Sequence, residues 1–129
     1  MFFNKHDAPR DEFGYRLRSM VDTYRKRAEE LKPKKAELIH QVAELQAHQR
    51  ALSAESDRLK TEGEDPVADA RRVAEIRMEL EASETIQARL GAELEEVNRQ
   101  ISGLERNANG HEVRLKRHEE ERSGEKTFL

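Results

Sequence analysis

Residues 31–59 read LKPKKAELIHQVAELQAHQRALSAESDRL, with a leucine at every seventh position. The series consists of Leu31, Leu38, Leu45, Leu52 and Leu59, and Leu17 and Tyr24 extend it backwards in the same phase. A strict seven-residue apolar repeat is typical of a helix that packs along a seam against another helix. This stretch therefore predicts a coiled-coil helix with these residues at heptad positions d, where a and d form the seam.

A second seam lies in the second half of the chain. Its apolar a and d residues are Val73, Ile76, Leu80, Leu90, Leu94, Val97, Ile101 and Leu104. Residues 60–66, KTEGEDP, separate the two seams. Here Gly63 suits a left-handed helix C-cap, Asp65 an N-cap and Pro66 the first position of a new helix. We therefore expect two helices joined by a short turn.

The fold class that follows is all-α, a long antiparallel two-helix coiled-coil hairpin with short flexible ends. We expect the hairpin over about residues 7–122, with helix 1 over about 8–62, a turn at 63–65 and helix 2 over about 66–118. Residues 1–6 and 123–129 are predicted to be a flexible lead and tail. Pro33 interrupts the first seam, but the phase from Leu31 to Leu38 is kept, which favours a kink in one helix over a loop. Residues 107–110 leave open whether helix 2 continues past Gly110.

Two registers compete for the pairing of the helices. In the first, partner numbers add to about 132, and polar Gln49 faces Ser83. Its flanking ion pairs would be Arg18–Glu112 and Arg25–Glu105. In the second, the numbers add to about 125, and Glu55 lies near Arg72. We favour the first register because its apolar layers match better, and seam burial outweighs exposed ion pairs.

Composition narrows the function class. The chain has 129 residues, of which 40% are charged and 35% hydrophobic, a polarity that suits a thin helical seam better than a globular core. The absence of cysteine excludes disulfides and thiolate metal sites and is compatible with the cytoplasm. No apolar run reaches the roughly eighteen residues of a membrane span. We find no catalytic motif, and we expect no enzyme activity, cofactor, metal or small-molecule substrate.

Most aromatic residues lie near the two chain ends, which a hairpin brings together at one end, the base. The candidate partner-binding residues there are Phe2, Phe3, Phe13, Tyr15 and Phe128. Aromatic side chains are enriched at interface hot spots, although they could also plug the open end of a coil. We expect a protein-binding module for assembly, spacing or inhibition, which docks through this base and includes itself among its partners as a homodimer or higher oligomer. Ile39 and Ile86, beside the seam, could mark contact with a further helix.

Two alternative functions are suggested by the distribution of charged residues. The end opposite the base, the tip, carries Glu62, Glu64, Asp65 and Asp69. A long antiparallel coiled coil with a carboxylate tip resembles the factors that enter the secondary channel of bacterial RNA polymerase, which implies tip carboxylates near the catalytic magnesium. Residues 10–35 hold nine Lys/Arg against five acids, a basic face for nucleic acid. Glutamates of helix 2 are expected to neutralise this face, so nucleic acid is the weaker expectation.

His111 and His118, at d positions, are too far apart for one metal and should loosen the last layers.

Overall fold

The protein consists of two long helices that pack against each other as an antiparallel hairpin. A computed structural model describes the backbone of residues 11–128 and the side chains of residues 11–124. Helix α1 spans Glu12–Glu62 and helix α2 spans Pro66–Phe128, and the described residues contain no strand. The predicted all-α helical hairpin is therefore confirmed. The predicted lead at 1–6 lies outside the described residues.

The hairpin divides into two compact units, each built from both helices. The base unit comprises residues 11–33 and 98–128 of the described chain, and the tip unit is Lys34–Val97. In both units the side chains withdrawn from solvent follow the seven-residue repeat. In α1 every a and d residue from Gly14 to Leu59 is buried or half-buried, and Glu55 alone among the other positions of that stretch is not exposed. In α2 every a and d residue from Val73 to His118 is likewise buried or half-buried.

The register is the first of the two predicted. In the tip unit, Gln49 Nε2 lies 2.9 Å from Ser83 Oγ, so these core partners have numbers that add to 132. The predicted flanking pairs are wrong, because each glutamate is bonded one heptad away from its expected arginine. The structure contains Arg18–Glu119 at 3.1 Å, Arg25–Glu112, and Lys32–Glu105 at 4.0 Å. The base unit therefore pairs by residue numbers that add to 137 at its flank.

Antiparallel geometry explains this offset. Position e follows d on both helices, so e–e′ partners have numbers that add to five more than core partners. Position g precedes a on both helices, so g–g′ partners add to five less. Glu55 and Arg72 are such a g–g′ pair, with Arg72 Nε 2.7 Å from Glu55 Oε2. This contact, assigned from sequence to the competing register, belongs to the same register as Gln49–Ser83.

Complementary side-chain sizes fit this register. In the tip unit it places small Ser56 opposite Ile76, which is 1% exposed. In the base unit it places Tyr24 opposite Ala108, which is 0% exposed. A large side chain opposite a small one fills a layer without a void. Shifting one helix by a heptad would set small Ser56 opposite Ser83, or large Tyr24 opposite Ile101 or Leu115, so packing reinforces the polar pairing.

The helix ends differ from prediction at the base. The described α1 begins at Glu12, after Asp11, whose carbonyl accepts the Tyr15 N–H at 2.9 Å. Helix α2 continues to Phe128, ten residues beyond the predicted end at 118 and through most of the predicted tail. A helical glycine costs only about 1 kcal/mol. Seam contacts at Ala108 and Leu115 outweigh that cost, so residues 107–110 do not end the helix.

Pro33 lies inside α1, and the helix is continuous across it. The alternative of a loop at this residue is therefore wrong. Pro33 occupies position f, on the side of the helix that faces away from the seam, and its side chain is exposed. The ring removes one backbone hydrogen bond without displacing a core side chain. The bend expected at this residue stays a prediction.

Replacing Leu38 by aspartate should unfold the hairpin. Leu38 is a d residue only 4% exposed, and the change removes a core leucine and buries an unpaired charge. We expect a loss of about 3–5 kcal/mol in the free energy of unfolding, measured by urea denaturation with circular dichroism. The neighbouring change Ile39→Asp is the control, because Ile39 is 49% exposed at position e. Equal losses in the two variants would contradict the seam assignment.

Candidate functional site

The base unit contains a charged cluster that ties the start of α1 to the end of α2. The carboxylate of Asp11 lies 2.9 Å from His118 Nε2 and 2.6 Å from an Arg122 guanidinium nitrogen. An ionised carboxylate only accepts hydrogen bonds, so Nε2 carries the proton in this contact. A Cβ on Gly14 would overlap the Asp11 carboxylate. Glycine at this a position therefore gives the carboxylate the space it occupies.

The two core histidines of the base unit pack against aromatic rings. Phe13 meets His118 edge to face, with ring centroids 5.1 Å apart. Tyr24 stacks on His111 with centroids 5.6 Å apart and planes 4° from parallel. Each histidine ring therefore has an aromatic partner, and the expected loosening of the last layers stays a prediction. His111 Nδ1 is buried and has no hydrogen-bond partner.

The predicted base residues are only partly described. Phe13 is 57% exposed and Tyr15 is 71% exposed, so both present aromatic surface to solvent. Phe2 and Phe3 lie outside the described residues, as does the side chain of Phe128. Exposed Met20 and Val113 also belong to the base unit. Sequence reasoning missed Met20, although its g position, seven residues after Phe13, is the signal that could have identified it.

One flank of the base unit is closed by ion pairs. Arg18, Arg25 and Lys32, all at e positions, contact the glutamates at e′ positions described above. These contacts neutralise part of the basic face that sequence offered to nucleic acid. Exposed pairs of this kind typically contribute less than about 1 kcal/mol each, so their main effect is on where unpaired charge remains on the surface.

The carboxylates at the tip cap the second helix. Asp65 Oδ1 accepts the Ala68 N–H at 3.3 Å, and Asp69 Oδ2 accepts the Asp65 N–H at 3.2 Å. These reciprocal bonds satisfy N–H groups that the start of α2 leaves without a helical partner. The predicted N-cap at Asp65 is confirmed. Glu62 and Glu64 are exposed.

Gly63 serves the turn for a reason other than the predicted one. Its backbone does not adopt the left-handed conformation. A Cβ at this residue would instead overlap the Asp69 carboxylate and the Leu59 carbonyl oxygen. Glycine is thus required by close approach of the cap to the end of α1.

Arg72, a g residue of the tip unit, contacts three carboxylates. Its guanidinium contacts both oxygens of Glu55, at 2.7 and 3.1 Å, and lies 3.5 Å from Glu75 and 3.4 Å from Glu79. The hydrogen bond from Arg72 lowers the pKa of Glu55, and the same bond raises the pKa of Arg72. Three acids around one cation leave the surface around Arg72 negatively charged.

A polar layer interrupts the apolar seam of the tip unit. Gln49 Nε2 donates to Ser83 Oγ at 2.9 Å and to Gln87 Oε1 at 3.0 Å. Ser83 Oγ in turn donates to the Leu80 carbonyl at 2.8 Å. A satisfied polar layer inside a coiled coil specifies register at some cost in stability.

Among the described residues, no group of three His, Asp or Glu side chains is placed to hold a metal ion. None of the described helices is both long and apolar enough to cross a membrane. Comparisons with protein-family models, with curated proteins and with solved structures find no match to this chain.

Removing the cap at the tip should destabilise the hairpin locally. For Asp65→Ala we expect a loss of about 1 kcal/mol in the free energy of unfolding, because the Ala68 N–H loses its acceptor. Urea denaturation followed by circular dichroism measures this loss. Glu64→Ala is the matched control, an exposed acid of the same turn for which we expect no change. An equal loss in the control would contradict the capping role.

Replacing Asp11 by asparagine should give a pH-dependent loss of stability. Hydrogen bonds from His118 and then Arg122 hold the pKa of Asp11 below its ordinary value of 3.8. Stability from such a group is present above the unfolded pKa and is lost as pH falls through the lower folded pKa. We expect Asp11→Asn to lower the melting temperature at neutral pH, and the difference from the parent chain to shrink as pH falls through the lowered pKa of Asp11.

Thermal melts between neutral and acid pH measure this difference. Asp22→Asn is the control, because Asp22 is an exposed carboxylate on α1, the helix that Asp11 precedes. A deficit of Asp11→Asn that kept its full size at acid pH would show that the carboxylate charge is not its cause.

Proposed function

We propose that this chain is a non-catalytic coiled-coil module for protein–protein interaction, which acts in the cytoplasm and docks through its base unit. The observation that supports the proposal most is the exposure of Phe13 and Tyr15 at 57% and 71% in a unit whose other aromatic residue with a described side chain, Tyr24, is stacked in the seam. Exposed aromatic side chains on a rigid helix are typical anchors for a protein partner. Assembly, spacing and inhibition all remain settings for such a module.

The polymerase-channel alternative receives less support. Its carboxylates would have to be free to reach a metal ion, whereas Asp65 and Asp69 are bonded to backbone N–H groups of the tip. Helix caps of this kind account for both acids without a ligand. The nucleic-acid alternative is weakened by the pairing of Arg18, Arg25 and Lys32 with carboxylates of α2.

Site-specific photo-crosslinking in the source cells tests the proposal. A photoreactive phenylalanine analogue replaces Phe13 or Tyr15 at the base, Glu64 at the tip, or Met78 as the control. Met78 is 70% exposed on α2 of the tip unit and offers a matched apolar position outside the base. We expect crosslinks to a protein from the two base positions and none from Met78.

The outcomes separate the alternatives. Crosslinks from Glu64 to a polymerase subunit, with none from the base, would replace the proposal by the channel-binding function. Crosslinks from Phe13 to nucleic acid would favour the nucleic-acid-binding alternative. Silence at both base positions would overturn docking through the base.

A further inference from the structure

The flank of the base unit opposite its ion pairs is apolar and basic. We call base flank the set of its g residues from 13 to 27 on α1 and from 100 to 114 on α2. They are Phe13, Met20, Arg27, Gln100, Asn107 and Arg114. Phe13 and Met20 are 57% and 44% exposed, and the six residues include two arginines and no acid, while the next g residue of α2 is the exposed Glu121. The described chain contains no ion pair for Arg27 or Arg114, so this flank carries uncompensated positive charge beside apolar surface.

The corresponding flank of the tip unit is apolar and acidic. We call tip flank the set of its g residues, which are Lys34, Gln41, His48, Glu55, Glu62, Arg72, Glu79, Ile86 and Glu93. Two of these are permanent cations and four are carboxylates. Ile86 is 46% exposed and stands between Glu79 and Glu93 in the heptad repeat.

The seam beneath the tip flank is incompletely covered. A shallow groove is lined by Gln41, Glu44, Leu45, His48, Ile86 and Leu90. Leu45 and Leu90 are d residues, yet both are only half-buried, whereas Leu38 and Leu52 in the same unit are 4% exposed. An apolar side chain laid into this groove would bury the core leucines and Ile86 further.

We propose that the base flank of one copy binds the tip flank of a second copy of this chain. The two flanks are complementary in charge, and each places apolar side chains within its charged row. Both repeat every seven residues, about 10.5 Å along a helix, so Met20 can lie against Ile86 while arginines meet glutamates. This inference rests on the proposed function, because it names this chain as its own partner.

The e flank of the base unit explains why g is the flank that binds. Its three cations are already paired with Glu105, Glu112 and Glu119, which leaves it nearly neutral. A thin two-helix core gains stability from further helices, and four-helix packing is the usual arrangement. Contact between unlike flanks forms a closed dimer when it is reciprocal and a larger assembly when it is not.

A charge-swap experiment with the full chain tests this contact. The first variant carries Arg27→Glu and Arg114→Glu, which makes both flanks acidic. The second carries Glu79→Lys and Glu93→Lys, which makes both flanks basic. Each alone should self-associate at least about tenfold more weakly than the parent chain, and an equimolar mixture should associate like the parent, because every base–tip contact between the two different variants joins opposite charges. Sedimentation equilibrium up to about 100 µM measures the masses against 15.0 kDa.

Two further pairs of variants make the result independent of charge and of folding. Met20→Ser and Ile86→Ser should each weaken association, and both residues are already partly exposed, so the helical signal should persist. Met78→Ser and Val113→Ser remove apolar side chains that are more exposed, at 70% and 57%, and lie outside the two flanks, so they should leave the mass unchanged.

A parent chain that stays at 15.0 kDa throughout would overturn the inference. So would charge variants that associate like the parent, or a mixture that fails to restore association. Failure of the inference is distinguishable from failure of the proposed function. A monomeric chain that still crosslinks another protein from Phe13 keeps the function and loses the self-contact.

Discussion

Each layer of a two-helix seam must find its complement on one partner helix, and the remaining features of this protein depend on that constraint. A globular core can absorb a misplaced side chain by packing it elsewhere, but a thin coil has only one facing row. Gln49 can satisfy its amide only where Ser83 and Gln87 lie opposite. Because leaving this part-buried amide without partners costs free energy, the polar layer disfavours neighbouring registers.

The register then decides which charges meet. In the base unit it brings arginine and lysine at e to glutamate at e′, and in the tip unit it brings Glu55 at g to Arg72 at g′. These contacts add little to stability, but they sort the surface into neutral and charged flanks. The chain has a net charge of only −3, which conceals that separation. Local arrangement of charge, more than its total, gives this protein surfaces that a partner can distinguish.

The seams were predictable because burial follows the seven-residue repeat of apolar residues in the sequence. The seam positions from Leu17 to Leu59 could be predicted without knowing the partner helix. The N-cap at Asp65 could be predicted from the residues next to it alone. The flanking pairs were mispredicted because e–e′ partners in an antiparallel coil have numbers that add to five more than core partners, which pairs Glu112 with Arg25 in place of Arg18. The end of α2 was placed ten residues too early because Ser123 and Gly124 are residues that favour a break in the chain, whereas the helix continues through both to Phe128. The residues around Asp11 do not predict its contacts with His118 and Arg122, which are more than one hundred residues away in sequence.

The spacing of contacts along the chain also implies an order of folding. Around the capped turn, Arg72 and Glu55 are 17 residues apart, whereas Arg18 and Glu119 at the base are 101 apart. Closing a short loop costs less entropy than closing a long one, so contacts near the turn form first and those towards the chain ends form later. Local unfolding follows the reverse order, so the base is the first part of the hairpin to open. A partner that binds there selects the closed form and raises the stability of the segment that is otherwise lost most readily.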